Sequence, residues 1–142
     1  MKALSIHPLW AGAIWAKEKT VEVRTWKTNY RGDLLICATQ QKVKDTIPGH
    51  ALCVVTLKDC VPFEKKHCKG AMLEPKDFEA EKVKMSNYFA WELENVRYIK
   101  PIPLKGKLGL WNYDGEIEYL KEPESDEEDE KIYHEFFEPI FV

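Results

Sequence analysis

A single clear amphipathic helical stripe, in a chain that otherwise offers mainly short strand-like runs, most tightly constrains what this sequence can fold into. Leu9, Trp10, Ala13, Ile14 and Ala16 recur at helical spacing behind Pro8, whose missing N–H suits a first helical turn; the helix is expected to end near Glu18. One strand-like run, residues 2–6, precedes it. Others follow from Lys19 onward, over 33–39, over 51–61 and over 88–98, the last with a bulge expected near Asn95. Charge dominates 63–76, which reads as a loop, Pro75 could open a short helix through Met85, and Pro101 and Pro103 fix an extended segment between strands. A parallel α/β sheet needs a helix between most of its strands. Five or six strands with one helix after the first therefore predict an α+β, mainly β fold: a small barrel with short peripheral helices.

Residues 19–32 carry the chemistry. Thr20, Val21, Val23 and Thr25 are β-branched and favour a strand, so Glu22, Arg24 and Trp26 share one face and Val21, Val23 and Thr25 the other. The valine face is the one expected inside a barrel. The other presents a carboxylate, a five-donor guanidinium and an indole side by side, a set suited to a planar, hydrogen-bonding ring. Glu22 and Arg24 also read as an ordinary surface ion pair beside a half-buried Trp26. Lys19 upstream, with Tyr30 and Arg31 downstream, adds two cations and a second aromatic ring and favours a site. Trp10 and Trp15 are five positions apart and cannot share a helix face, so one is expected in the core and the other at a pocket mouth.

A chain of 142 residues is one domain by size. No apolar run reaches membrane-spanning length and the start lacks a signal-peptide layout, so a cytoplasmic protein is expected. Cys37 and Cys53 lie in apolar runs and read as small hydrophobes. Cys60, His67 and Cys68 could supply three metal ligands, but no fourth has suitable spacing; neither metal nor cofactor is expected. Residues 121–142 hold nine acids against Lys121 and Lys131, a net of −7, while residues 1–120 hold 19 basic and 15 acidic side chains, a net of +4. The reading is a barrel over 1–120, followed by an acidic linker and an apolar tail that docks back on the body. The acidic run is compatible with competition against a polyanionic ligand or with recruitment of a basic protein partner. The Lys105/Lys107 pair could line a phosphate path, or be solvated lysines at a barrel corner.

Lys19-x-x-Glu22-x-Arg24 resembles most of the Gly-x-Lys-x-x-Glu-x-Arg signature of the ASCH domain family, within the PUA-like superfamily that includes the EVE and YTH domains. Residues 4–11, Tyr30-Arg31-Gly32, residues 90–93 and residues 100–103 are similar to family segments in the same order. Lys17 stands at the usual glycine, and Leu9 where some relatives have glutamine. The resemblance implies a five- or six-stranded barrel, a cleft lined by the signature, and binding of RNA, a nucleotide or a modified base. The implied ligand-binding set is His7, Trp10, Lys19, Glu22, Arg24, Trp26, Tyr30 and Arg31. It also implies an alternative, amide hydrolysis of acylated cytidine-type nucleosides, in which Lys19 and Glu22 would be the catalytic candidates. The branch that does this uses a lysine, a threonine and a glutamate. The lysine maps on Lys19 and the threonine position on Glu22, while Glu64 is the nearest candidate for the glutamate.

Overall fold

The computed structural model describes residues 1–142. Strand β1 (Lys2–Ile6) leads into helix α1 (Pro8–Trp15), then β2 (Val21–Arg24), β3 (Gly32–Ala38), β4 (His50–Pro62), β5 (Phe89–Pro103) and β6 (Leu110–Asn112). The six form one sheet in the order β2-β5-β4-β3-β1-β6. Strands β1 and β3 run parallel, and every other neighbouring pair is antiparallel. Register shifts between Ala51 and Cys53, Val54 and Thr56, and Leu57 and Asp59 bend the long β4–β5 pair and curl the sheet into a half-barrel. Asn95, left-handed at φ 54, occupies one of these bulges, as the sequence predicted.

The main core lies on the concave face. Leu4, Ile6, Leu34, Ile36, Leu57, Trp91 and Leu93 meet Ala11 and Ile14 of α1 there. On the opposite face Ala3, Leu35, Cys37, Ala51, Val54 and Ile99 are covered by Ile102, Leu104, Trp111 and Ile117. A third cluster corrects the expected facing of β2. Val21 packs outward with Phe63, Cys68, Ala71 and Phe78, under an insert made of a 3-10 turn (Lys65–His67), α2 (Cys68–Ala71) and α3 (Pro75–Ala80). Glu22 sits opposite Trp91 in register and faces the main core. The two faces alternate as expected, but the insert supplies the apolar cover that the barrel interior was expected to give.

Other boundaries moved for local reasons. Helix α1 stops at Trp15 because Lys17 is left-handed, at φ 65. Strand β5 runs on through Pro101 and Pro103, read from the sequence as a segment between strands. Partner β2 spans only Glu92 to Phe89, so β5 beyond Glu92 has few N–H groups called on from that side. The acidic run is no linker: Ser125 caps helix α4 (Asp126–Ile132), and a π-helical turn (Tyr133–Phe137) and a 3-10 turn (Glu138–Ile140) follow. Phe137 is buried in the main core against Trp15, and Val142 pairs with Thr46 and Asp45. No helix is long and apolar enough to cross a membrane.

Candidate functional site

Where β1 runs into α1, a cleft of about 230 Å³ opens between them and β2. Ile6, His7 and Trp10 form one wall, Lys19, Glu22, Val23 and Arg24 another, and Ala71 and Leu73 of the insert a third. Backbone contacts hold the strand in place: Thr20 N–H donates to the Gly70 carbonyl, and Leu93 N–H to the Thr20 carbonyl. Gly70 is required there, since a Cβ would fall 2.7 Å from Thr20 Oγ1 and 2.8 Å from Val21 Cγ2.

Inside the cleft two cations flank one carboxylate. Lys19, only 4% exposed, donates from Nζ to the Ala71 carbonyl at 2.9 Å, lies 3.8 Å from Glu22 Oε1, and sits over the Trp10 ring 4.8 Å from its centroid. Arg24 donates to the Ser5 carbonyl at 3.0 Å, which ties β2 across the open side of the half-barrel to β1. Its Nε is 3.5 Å from Glu22 Oε2, out of hydrogen-bond alignment, and is buried with no acceptor. Glu22 Oε1 accepts from Val23 N–H. Burial pushes the Glu22 carboxyl above its ordinary range, against the attraction of Arg24 and Lys19. Burial likewise lowers the Lys19 ammonium, with Glu22 resisting and Arg24 assisting. His7 caps α1 by accepting the Leu9 N–H on Nδ1 at 3.1 Å, so the neutral ring carries its proton on Nε2 and is a donor there.

Of the eight residues expected to bind a ligand, this cleft gathers five: His7, Trp10, Lys19, Glu22 and Arg24. The other three lie outside it. Trp26 packs edge-on against Trp91, with centroids 4.7 Å apart, and its carbonyl accepts the Trp91 indole N–H. Tyr30 donates to the Asp33 carbonyl, and Arg31 is held by Asp59 at 3.1 Å and by the Thr28 and Tyr30 carbonyls. Glu64 is on the surface, paired with Lys66. Cys60, His67 and Cys68 do not converge: Cys68 joins the outer cluster, while His67 accepts the Glu64 N–H and stacks near Phe63. Nowhere do three or more His, Cys, Asp or Glu side chains gather as metal ligands would. Sequence reasoning missed Ala71 and Leu73, because residues 63–76 are dominated by charge and read as a loop. The Pro75 helix start was the one signal that the insert had structure of its own.

A family model described as ASCH domain matches residues 4–103. The crystal structure of ASCH from Zymomonas mobilis is similar at 18% identity and a TM-score of 0.62, covering 94% of this chain and 94% of that one. A tyrosine-to-phenylalanine variant of that protein gives a TM-score of 0.62, with 94% and 96% of the two chains covered, and a serine-to-alanine variant 0.61, with 94% and 94%; both are again 18% identical. At that identity the likeness shows the fold. No curated protein matches the chain.

Proposed function

Because the chain belongs to the ASCH domain family, we propose that it is a nucleic-acid-binding module whose cleft takes one nucleobase or modified base, most simply from RNA. The observation that carries this reading is the buried Arg24 Nε–H, which has no acceptor and lines the same cleft as the Glu22 carboxylate. An orphaned buried donor costs about 1–3 kcal/mol until a ligand satisfies it. A base presents the complement: ring nitrogens and carbonyls for Arg24, Lys19 and the His7 Nε2–H, and an exocyclic amine for Glu22. Trp10 offers the aromatic surface, worth about 1–3 kcal/mol per stacked base. At about 230 Å³ the cleft suits one ring rather than a large cofactor. Titrating RNA and free nucleosides against Arg24→Ala and Glu22→Ala tests this. A loss of roughly tenfold or more is expected for each, whereas Trp26→Ala and Arg31→Ala alter no cleft contact. Undiminished binding in both cleft variants sinks the reading.

A second reading, amide hydrolysis of N-acylated cytidine, is favoured by the opposed shifts of Lys19 and Glu22. A neutral Lys19 would take a proton from water attacking the acyl carbonyl, and a protonated Glu22 would return one to the leaving amine as the C–N bond breaks. Turnover of acylated cytidines no faster than in Lys19→Ala removes it.

A further inference from the structure

We infer that the ligand is a polynucleotide rather than a free nucleoside, its sugar-phosphate backbone leaving the cleft across loops 40–49 and 104–109. This rests on the cleft being a base-binding site. Both loops are tied to the cleft wall by a continuous set of hydrogen bonds. Thr39 N–H donates to the Ile6 carbonyl at 2.9 Å, Gly49 N–H to the Thr39 carbonyl at 2.9 Å, and Leu104 N–H to the Gly49 carbonyl at 3.0 Å, while the Gln40 amide donates to the Leu104 carbonyl at 2.8 Å. Ile6 itself lines the cleft. A second link runs through Ser5. Its carbonyl accepts from Arg24 and its Oγ from the Trp111 indole at 3.3 Å, and Gly106 lies so close that a Cβ there would come 2.0 Å from Oγ. Loop 104–109 is therefore pressed against the residue that anchors the cleft's guanidinium.

These two loops expose Lys42, Lys44, Lys105 and Lys107, none of them at ion-pair distance from a carboxylate, and their only acid is Asp45. Lysines elsewhere, Lys58, Lys69 and Lys84 among them, also lack a carboxylate partner, so what sets these four apart is that they cluster on two loops hydrogen-bonded to each other and to the cleft wall. Lys107 is held over Trp111, 5.9 Å from the ring centroid, and Leu108 at the loop tip is wholly exposed, which leaves cations beside apolar surface. Uncompensated cations next to aromatic and apolar faces are what a single strand needs, since phosphates release counterions there and bases or riboses find cover.

The test compares free cytidine with a single-stranded RNA of about 10 nucleotides, both titrated over a range of salt into the full chain and into Lys42→Gln/Lys44→Gln/Lys105→Gln/Lys107→Gln. All four positions are exposed, and a matching thermal melt confirms that the variant folds. The oligonucleotide is expected to bind the wild type more tightly than cytidine does. The variant's slope of log affinity against log salt should fall by about 0.7 per lysine, or about 3 in all, with cytidine affinity unchanged. An unchanged oligonucleotide slope in the variant overturns the inference, and if Glu22→Gln still abolishes cytidine binding, the base-cleft reading survives it. A slope that falls while Glu22→Gln and Arg24→Ala leave both ligands unaffected removes the base cleft and with it the inferred path out of it, leaving only phosphate attraction to the lysines. Failure of both ligands to bind the wild type overturns both, as does lysine-dependent binding to phosphatidylserine vesicles alone.

Discussion

Lys17 and Glu22 each hold an environment that their residue type alone would not choose, and each can be tested singly. Lys17 is left-handed where the family signature has glycine, and that conformation costs a side chain with a Cβ about 1–2 kcal/mol. Its ammonium lies 5.3 Å from the centre of the Tyr98 ring, and Lys17→Ala and Lys17→Gly both remove that cation–π interaction. Urea melts should therefore find Lys17→Gly more stable than Lys17→Ala by about 1 kcal/mol; equal midpoints would mean the backbone relaxes. The Glu22 carboxyl, raised by burial, keeps its proton at pH values where the unfolded chain has lost it. Native stability consequently falls as pH rises above 4.5 through the folded value. Glu22→Gln cannot titrate, so its stability relative to wild type should rise with pH across that window, read as the difference between urea midpoints at successive pH values. The chemistry of both residues was legible from the signature. That Glu22 faces the main core was not, because alternation assigns residues to two faces without saying which face an insert will cover.

Among the elements, β2 and the insert are the pair on which the cleft depends. Four residues of strand are held on one flank by β5, at one end by the Gly70 carbonyl, and across the open side by Arg24 on Ser5. Gly70→Ala forces a methyl against Thr20 and Val21, so about 1–3 kcal/mol of destabilisation is expected. Lys19, one residue earlier, should lose its alignment with the Ala71 carbonyl. A lower melting temperature together with weakened ligand binding checks this, and a variant that matches wild type in both would show that α2 and β2 shift freely. Strand periodicity made β1, β3, β4 and the first half of β5 readable. The insert was hidden because its helices are of four and six residues, too short for a 3.6-residue period to stand out from the charges around them.

At the scale of the whole molecule, charge is segregated: nine acids in residues 121–142 against a body of net +4. The acids Asp126, Glu127, Glu128 and Glu130 stand exposed on α4, while Phe137 just beyond them is sealed in the core, so the tail is fixed to the body and its field is always present. Changing those four to Asn or Gln should raise oligonucleotide affinity at low salt, with the gain fading once the Debye length shrinks to about 3 Å near 1 M. A gain that persists at high salt, or none at low salt, would show that the tail does not act through its field. Composition and periodicity by themselves determined a mainly β fold with one helix after the first strand and a Lys-Glu-Arg signature at the second, since each depends on neighbours in the chain. Tertiary structure alone decided that Glu22 turns inward, that Trp26, Tyr30 and Arg31 leave the cleft, and that Ala71 and Leu73 complete it. Those outcomes depend on which distant segment buries each face of β2, and burial is settled by packing among residues far apart in sequence.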